Sequence, residues 1–438
     1  MNQAFLRIRY FFMSATYITV FFLVALALST SLRFWLSVRH MRHVRMCRGE
    51  VPAEFATQVT LADHARAADY TVAKGRLGQV EILIEAALLL IFTLGGLLYA
   101  IDGGARSWLG NGYAHDLALF AMVSLVGFVV GLPVSLYRTF RLEAAFGFNK
   151  MTPRLWLVDL LKGAALAIVI GGPLLLAVLW LMQQMGERWW LYVWLFWMGF
   201  NLLVLVLYPT VIAPLFNKFS PLADASLKQR IEALLTRCGF ASSGLFVMDG
   251  SKRSAHGNAY FTGFGAARRI VFFDTLLEKL APQEIEAVLA HELGHYHHKH
   301  VIKRILLLAV MSLGMLWLLG QVIDQAWFYA GLNVIKVGAG DTATQTLTGQ
   351  TAMGLLLFSM VLPVFLFPLS PLTSALSRRD EYQADAYAAR QTAAHDLVTA
   401  LVKLYRDNAA TLTPDPVYSL FHDSHPPASQ RIAHLQSL

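Results

Sequence analysis

Seven long apolar stretches dominate this chain, over about 10 to 32, 81 to 101, 116 to 137, 155 to 182, 189 to 213, 303 to 323 and 350 to 372. Each reaches the ~20 residues that a helix needs to cross a hydrocarbon core about 30 Å thick. Lipid offers no partner to backbone N–H and C=O groups, so such stretches are expected as helices. The 438 residues are 56% apolar and only 15% charged, too little charge to wet a soluble surface. A free cytosolic enzyme, a disordered chain and a disulfide scaffold are excluded together. The only cysteines are Cys47 and Cys238, so a metal site would have to use histidines and carboxylates. The formal net charge of +8 sits mainly in a few loops. It reads as topology and contact with anionic lipid, with no nucleic-acid partner.

Charge orders the spans. Arg7 and Arg9 precede the first, whose Ala25-Leu26-Ala27 resembles a signal-peptide cleavage site, but Arg33, Arg39, Arg42, Arg45 and Arg48 follow it. That excess predicts a retained anchor with its N-terminus outside. Arg138, Arg141, Lys150 and Arg154 put the third-to-fourth connection in the cytosol. The basic fifth-to-sixth segment and the C-terminal tail follow it there. Trp189, Trp190, Trp194 and Trp197 crowd the start of the fifth span as interfacial aromatics do. Gly171, Gly172 and Pro173 in the fourth span, and Pro363 and Pro368 in the seventh, break the helical ladder where protein or water can satisfy it. They point to an internal cavity. Glu81, Glu85, Asp159 and Lys162 lie near span ends and suit interfacial or cavity-lining roles.

The chain thus divides into membrane helices one to five with a loop of about 33 to 80 (1 to 216), a polar segment (217 to 302), helices six and seven (303 to 372) and a polar tail (373 to 438). Soluble chemistry must lie in the two polar segments. In the first, Ser226 to Cys238 reads as a helix and Gly244 to Val247 as a strand; Asn258 to Gly263 and Arg269 to Phe273 read as a hairpin around Gly265. After Pro282, Gln283 to His300 has helical periodicity and leads almost directly into the sixth span.

That helix carries His291-Glu292-Leu293-Gly294-His295. Residues four apart share a helix face, so both imidazoles can reach one Zn²⁺ while Glu292 faces a water. From 14 His and 12 Glu, the pattern arises by chance with a probability of about 0.01. His297, His298 and His300 read as solvated residues at headgroup level. A catalytic zinc needs a third protein ligand and an open position. Glu381 is the leading candidate, with Asp380 and Asp274 in competition, and Asp385 one turn on could accept the spare N–H of a ligand histidine.

HELGH followed by SRRDEYQADAYA (Ser377 to Ala388) resembles the zinc site of the type I CAAX prenyl proteases, a family of integral membrane zinc metalloproteases. Matches to the same family run through DHARAADYT (Asp63 to Thr71), FGFNK (Phe146 to Lys150), YPTVIAPLFNK (Tyr208 to Lys218), SAHGNAYFTG (Ser254 to Gly263), His425-Pro426 and Arg431, covering about 40 to 435. The resemblance implies His291, His295 and Glu381 as ligands of one Zn²⁺ per chain and Glu292 as general base. It implies Asn258 and Ala259 on an edge strand beside extended substrate, His425 as oxyanion donor and Arg431 as a supporting residue. Without it, His425 and Arg431 read as tail residues near a Pro-Pro turn. It also implies a mainly α fold, seven transmembrane helices enclosing a chamber, joined to a zincin-type catalytic domain with a small β-hairpin.

The expected function is zinc-dependent hydrolysis of extended peptides or proteins, prenylated CAAX C-termini by resemblance, by a monomer in the lipid bilayer. A bacterial inner membrane is the preferred location, with the endoplasmic reticulum as the eukaryotic counterpart. The rival is a non-enzymatic zinc protein, a transporter or a chaperone-like chamber. Transport favours ligands at mid-bilayer on several spans, and a structural site has no use for Glu292.

Overall fold

The structure, a computed structural model, describes residues 2–262, 269–335 and 350–438. Among the described residues six helices are long and apolar enough to cross a membrane: Ala15–Gly49, Tyr113–Glu143, Pro153–Gln184, Gly186–Phe216, His300–Val322 and Thr351–Gln391. Leu61–Phe92 and Leu97–Leu109, bent by 53° at a short break, supply the seventh where the second apolar stretch was expected. The residues expected as a loop between the first two spans are largely helical. The first helix continues to Met46, and the next starts at Leu61 with Thr60 capping Asp63 N at 3.1 Å.

The helix breakers act where the sequence puts them. A π-helical turn, Ala167–Gly171, precedes Gly172-Pro173, and a second one, Tyr208–Ile212, contains Pro209. Pro363 lies inside Thr351–Leu366, and Pro368 falls in a 3-10 turn, Phe367–Leu369, before the chain is helical again over Ser370–Gln391. Between the spans, Phe22, Phe92, Leu119, Tyr329 and Leu357 form a packed apolar cluster. Outward, Ile168, Val169 and Val310 expose 73%, 70% and 68% of their surface, which only a lipid solvent makes favourable. Ionisable groups at the span ends are paired. Glu81 meets Arg138, Glu85 meets Arg33 at 2.8 Å, and Asp159 accepts two bonds from Arg253 at 2.8 and 3.0 Å. Lys162 donates to the Leu215 carbonyl at 2.6 Å.

Among the described residues the polar segments build a four-stranded mixed sheet in the order β1-β2-β4-β3. Its strands are β1 (Phe219–Pro221), β2 (Leu245–Met248), β3 (Ala259–Thr262) and β4 (Arg269–Phe273). β3 and β4 pair antiparallel as expected, with Ala259 opposite Phe272, although Gly263 and the Gly265 turn fall outside the described residues. Sequence periodicity misses β1, three residues with a proline, too short to show alternation. The expected helix forms as Ala225–Arg237, its first turn capped by Asp224, which accepts from Ser226 N and Leu227 N at 2.9 and 3.0 Å.

The HELGH helix, Pro282–His297, starts with Pro282 in its first turn. Ile285, Leu289 and Leu293 bury one face against Ile231, Phe272, Leu397 and Leu401. It does not run on into the sixth span. Lys299 takes a left-handed backbone, φ 57°, and a separate helix begins at His300.

Candidate metal centre

Two helices make the site, Pro282–His297 and Ser370–Gln391, and Gly294 lets them approach closely. A Cβ at position 294 would lie 2.8 Å from Ala384 Cα, closer than real Cβ atoms approach, and a tight 3.0 Å from its carbonyl oxygen. The only residue type that fits between the two ligand histidines' turns is therefore glycine. That contact faces Glu381, three residues before Ala384, toward the imidazoles. His291 Nε2 and His295 Nε2 lie 3.2 Å apart, and Glu381 Oε2 and Oε1 lie 3.4 and 3.3 Å from them respectively. With one donor atom taken from each residue, the three lie within 4.8 Å of one another, close enough to share a single ion. Glu381 Oε2 is buried without a hydrogen-bond partner, as expected of an atom reserved for a cation. The competing carboxylates point elsewhere. Asp380 faces His300 at 3.4 Å, and Asp274 accepts from Ser251 N and Thr275 N at 2.9 and 2.8 Å.

Behind the donors lies a second set of contacts. Asp385 Oδ1 is 2.8 Å from His291 Nδ1, and Arg431 donates to both Asp385 oxygens at 2.9 and 2.5 Å. Arg431 is buried, 5% exposed, which corrects its reading as a loose tail residue: the helix Ala428–Gln436 packs back to bring it here. Burial opposes charge on His291, as does Arg431, but Asp385 and Glu381 push its pKa up to about 9. The pocket attracts a cation, which in metal-free protein is a proton. His300 also departs from its sequence reading. It is 1% exposed, and its Nδ1 lies 2.9 Å from His295 Nδ1. In one unbroken helix, positions five apart point well away from each other; the Lys299 turn brings them together. His297 is exposed and His298 half-buried.

Three cavities, of about 700, 750 and 310 Å³, have His425 in their walls. Its Nε2 lies 3.5 Å from Glu381 Oε1. Although 61% of the side chain is exposed, it faces cavity space ringed by protein, and that burial lowers its pKa. Glu292 lines two of the cavities and, among the described residues, makes no ion pair or side-chain hydrogen bond. Asn258 and Ala259 line the smallest, together with His291, Glu292 and Arg431. Asn258 O accepts from Phe273 N at 3.0 Å, so Ala259, next in the strand, turns its backbone outward at the sheet edge. Asn258 Oδ1 accepts from Ala259 N at 2.8 Å. Sequence reasoning missed Asn408, which binds His256 Nδ1 and Gly257 N at 3.2 Å each and ties this segment to the C-terminal helices.

Residues 40–218 match the family profile described as "CAAX prenyl protease N-terminal, five membrane helices", and residues 221–438 match "Peptidase family M48". CAAX prenyl protease 1 of Saccharomyces cerevisiae is 36% identical over 74% of this chain and 72% of its own length. The chain belongs to the CAAX prenyl protease 1 family of M48 peptidases. The Homo sapiens homologue is 31% identical over 81% of both chains. The crystal structure of S. mikatae Ste24p superposes with a TM-score of 0.88 at 31% identity, covering 95% of this chain and 99% of that one. Family membership makes the protein an integral membrane zinc metallopeptidase of peptide or protein substrates, so the non-enzymatic alternative gives way. The relatives named here are eukaryotic and lend no support to a bacterial inner membrane.

Proposed function

We propose that His291, His295 and Glu381 hold one zinc ion per chain and that Glu292 acts as general base in hydrolysing extended peptides at it. The observation that carries this is the convergence of two imidazoles and one carboxylate, their donor atoms within 4.8 Å of one another, beside a carboxylate left without partners. Zinc held by His291, His295 and Glu381 would lower the pKa of a water there toward about 7 and polarise a carbonyl. Glu292 takes the proton of the attacking water and delivers it to the leaving amine. His425, on the cavity wall beside Glu381, donates to the developing oxyanion, an interaction worth about 3 kcal/mol. Asp385 accepts the Nδ1 proton of His291, which keeps Nε2 free for metal, and Arg431 balances the Asp385 charge.

Substrate lies in extended form along β3, with the outward backbone carbonyl of Ala259 as its partner. Main-chain pairing demands little sequence, so selection rests on what can enter the cavities, joined as one membrane-enclosed chamber. The relatives' name points to CAAX C-termini as the substrate class. The distribution of Lys and Arg favours polar segments and C-terminus in the cytosol, the N-terminus outside, and a monomer suffices because all the named site residues lie on one chain. Chelation should abolish cleavage of a long fluorogenic peptide by the detergent-purified protein, and zinc should restore it. Cleavage that persists after complete metal removal would rule the mechanism out.

A further inference from the structure

Each ligand histidine needs its second ring nitrogen occupied, or the imidazole can rotate and present either tautomer. For His291 that partner is Asp385. The only described contact of His295 Nδ1 within hydrogen-bond distance is His300 Nδ1, at 2.9 Å. His300 Nε2 in turn lies 3.0 Å from Gln383 Oε1 and 3.4 Å from Asp380 Oδ1, and His300 is 1% exposed. We infer that His300 is a positioning residue for the zinc ligand His295, accepting its Nδ1 proton and handing the hydrogen-bond chain on to Gln383 and Asp380. The inference rests on the zinc reading proposed above.

The chain admits one assignment of protons. With His295 Nε2 turned to the metal, its proton sits on Nδ1 and points at His300. His300 Nδ1 must then accept, so its own proton is on Nε2, where Gln383 Oε1 and the Asp380 carboxylate are acceptors. The opposite tautomer of His300 would set two N–H groups against each other at 2.9 Å. Gln383 and Asp380 flank Glu381 on the same helix, Ser370–Gln391, which also carries Asp385. That one helix therefore supplies a donor to the metal and orients both imidazoles, one directly and one through His300. The two supports also differ in charge. Asp385 is neutralised by Arg431, and His300 is a neutral relay, so neither places a bare negative charge against a ligand histidine. The cation keeps its polarising power.

The test compares His300→Leu, which fills the space without an acceptor, with His300→Gln, whose amide oxygen can accept. Zinc affinity is measured by chelator competition, and the cobalt(II)-substituted protein by its visible d–d spectrum. His300→Leu should weaken zinc binding 10- to 100-fold and shift the cobalt spectrum, and His300→Gln should recover most of both. Zinc affinity within twofold of wild type in His300→Leu, or a Gln variant no better than Leu, would overturn the inference. If His300→Leu does not fold, Asp380→Ala with Gln383→Leu leaves His300 in place and removes its acceptors; a severalfold loss of zinc affinity supports the relay, and wild-type affinity overturns it. Glu381→Ala separates the two layers of the argument. If wild type binds zinc and Glu381→Ala does not, the zinc site stands whatever His300 does. If Glu381→Ala binds as well as wild type, the underlying site is wrong.

Discussion

At the residue scale, the centre works because its buried charges are held against one another. Asp385 is fully buried, and its charge is tolerated because Arg431 and His291 both donate to it. Removing one partner of such a pair strands the other, at a cost of about 3–5 kcal/mol. Arg431→Met should therefore lower the thermal midpoint of the metal-free protein and weaken zinc binding by way of His291. An unchanged midpoint and zinc affinity would remove Arg431 from the support of the site. The ligand pair was legible in the sequence because a four-residue spacing is a purely local helical relation. His300 was not: its part depends on a single left-handed residue, Lys299, a residue type that gives no warning of such a turn. The burial of Arg431 was hidden for a related reason, because it arises when a C-terminal helix folds back over the site, and no local pattern reports that contact.

At the scale of elements, one helix pair and one strand edge decide what the site can do. Gly294→Ala would push a methyl group into Ala384, forcing the HELGH helix away from the one that bears Glu381. Overpacking of this kind costs about 1–3 kcal/mol. The expected outcome is a lower thermal midpoint together with weakened zinc binding; a variant that binds zinc as wild type would show that the close approach does not set the ligand geometry. The edge strand β3 makes a different prediction. Its backbone groups point outward at alternate residues, so a peptide lying along it pairs through every second amide. N-methylation at successive substrate positions should raise KM in an alternating pattern, by about 2- to 10-fold at the pairing amides. A flat profile would mean that substrate does not use this edge. The hairpin could be read in advance because β-branched and aromatic residues cluster on both strands, whereas its register, and β1, which forms only by pairing with β2, could not.

At the scale of the whole molecule, the seven spans and their breaks follow from sequence because hydrocarbon thickness fixes length, and proline and glycine fix the weak points. What length and apolarity do not contain is how far the helices continue beyond lipid. The first runs to Met46, and the last membrane helix resumes as the ligand-bearing Ser370–Gln391, so membrane and catalytic parts share continuous chain. That continuity carries Glu381 on the helix that follows the seventh span, 3.5 Å from His425, which lines the cavities together with Glu292. It also makes the proposed protease dependent on the bundle for its shape, with chemistry confined to one ion and one free carboxylate. The turnover rate of Glu292→Gln, measured per zinc-loaded molecule on a long peptide, addresses this most directly. The account predicts about one zinc per chain and a rate reduced by at least about 100-fold; hydrolysis at close to the wild-type rate would contradict it.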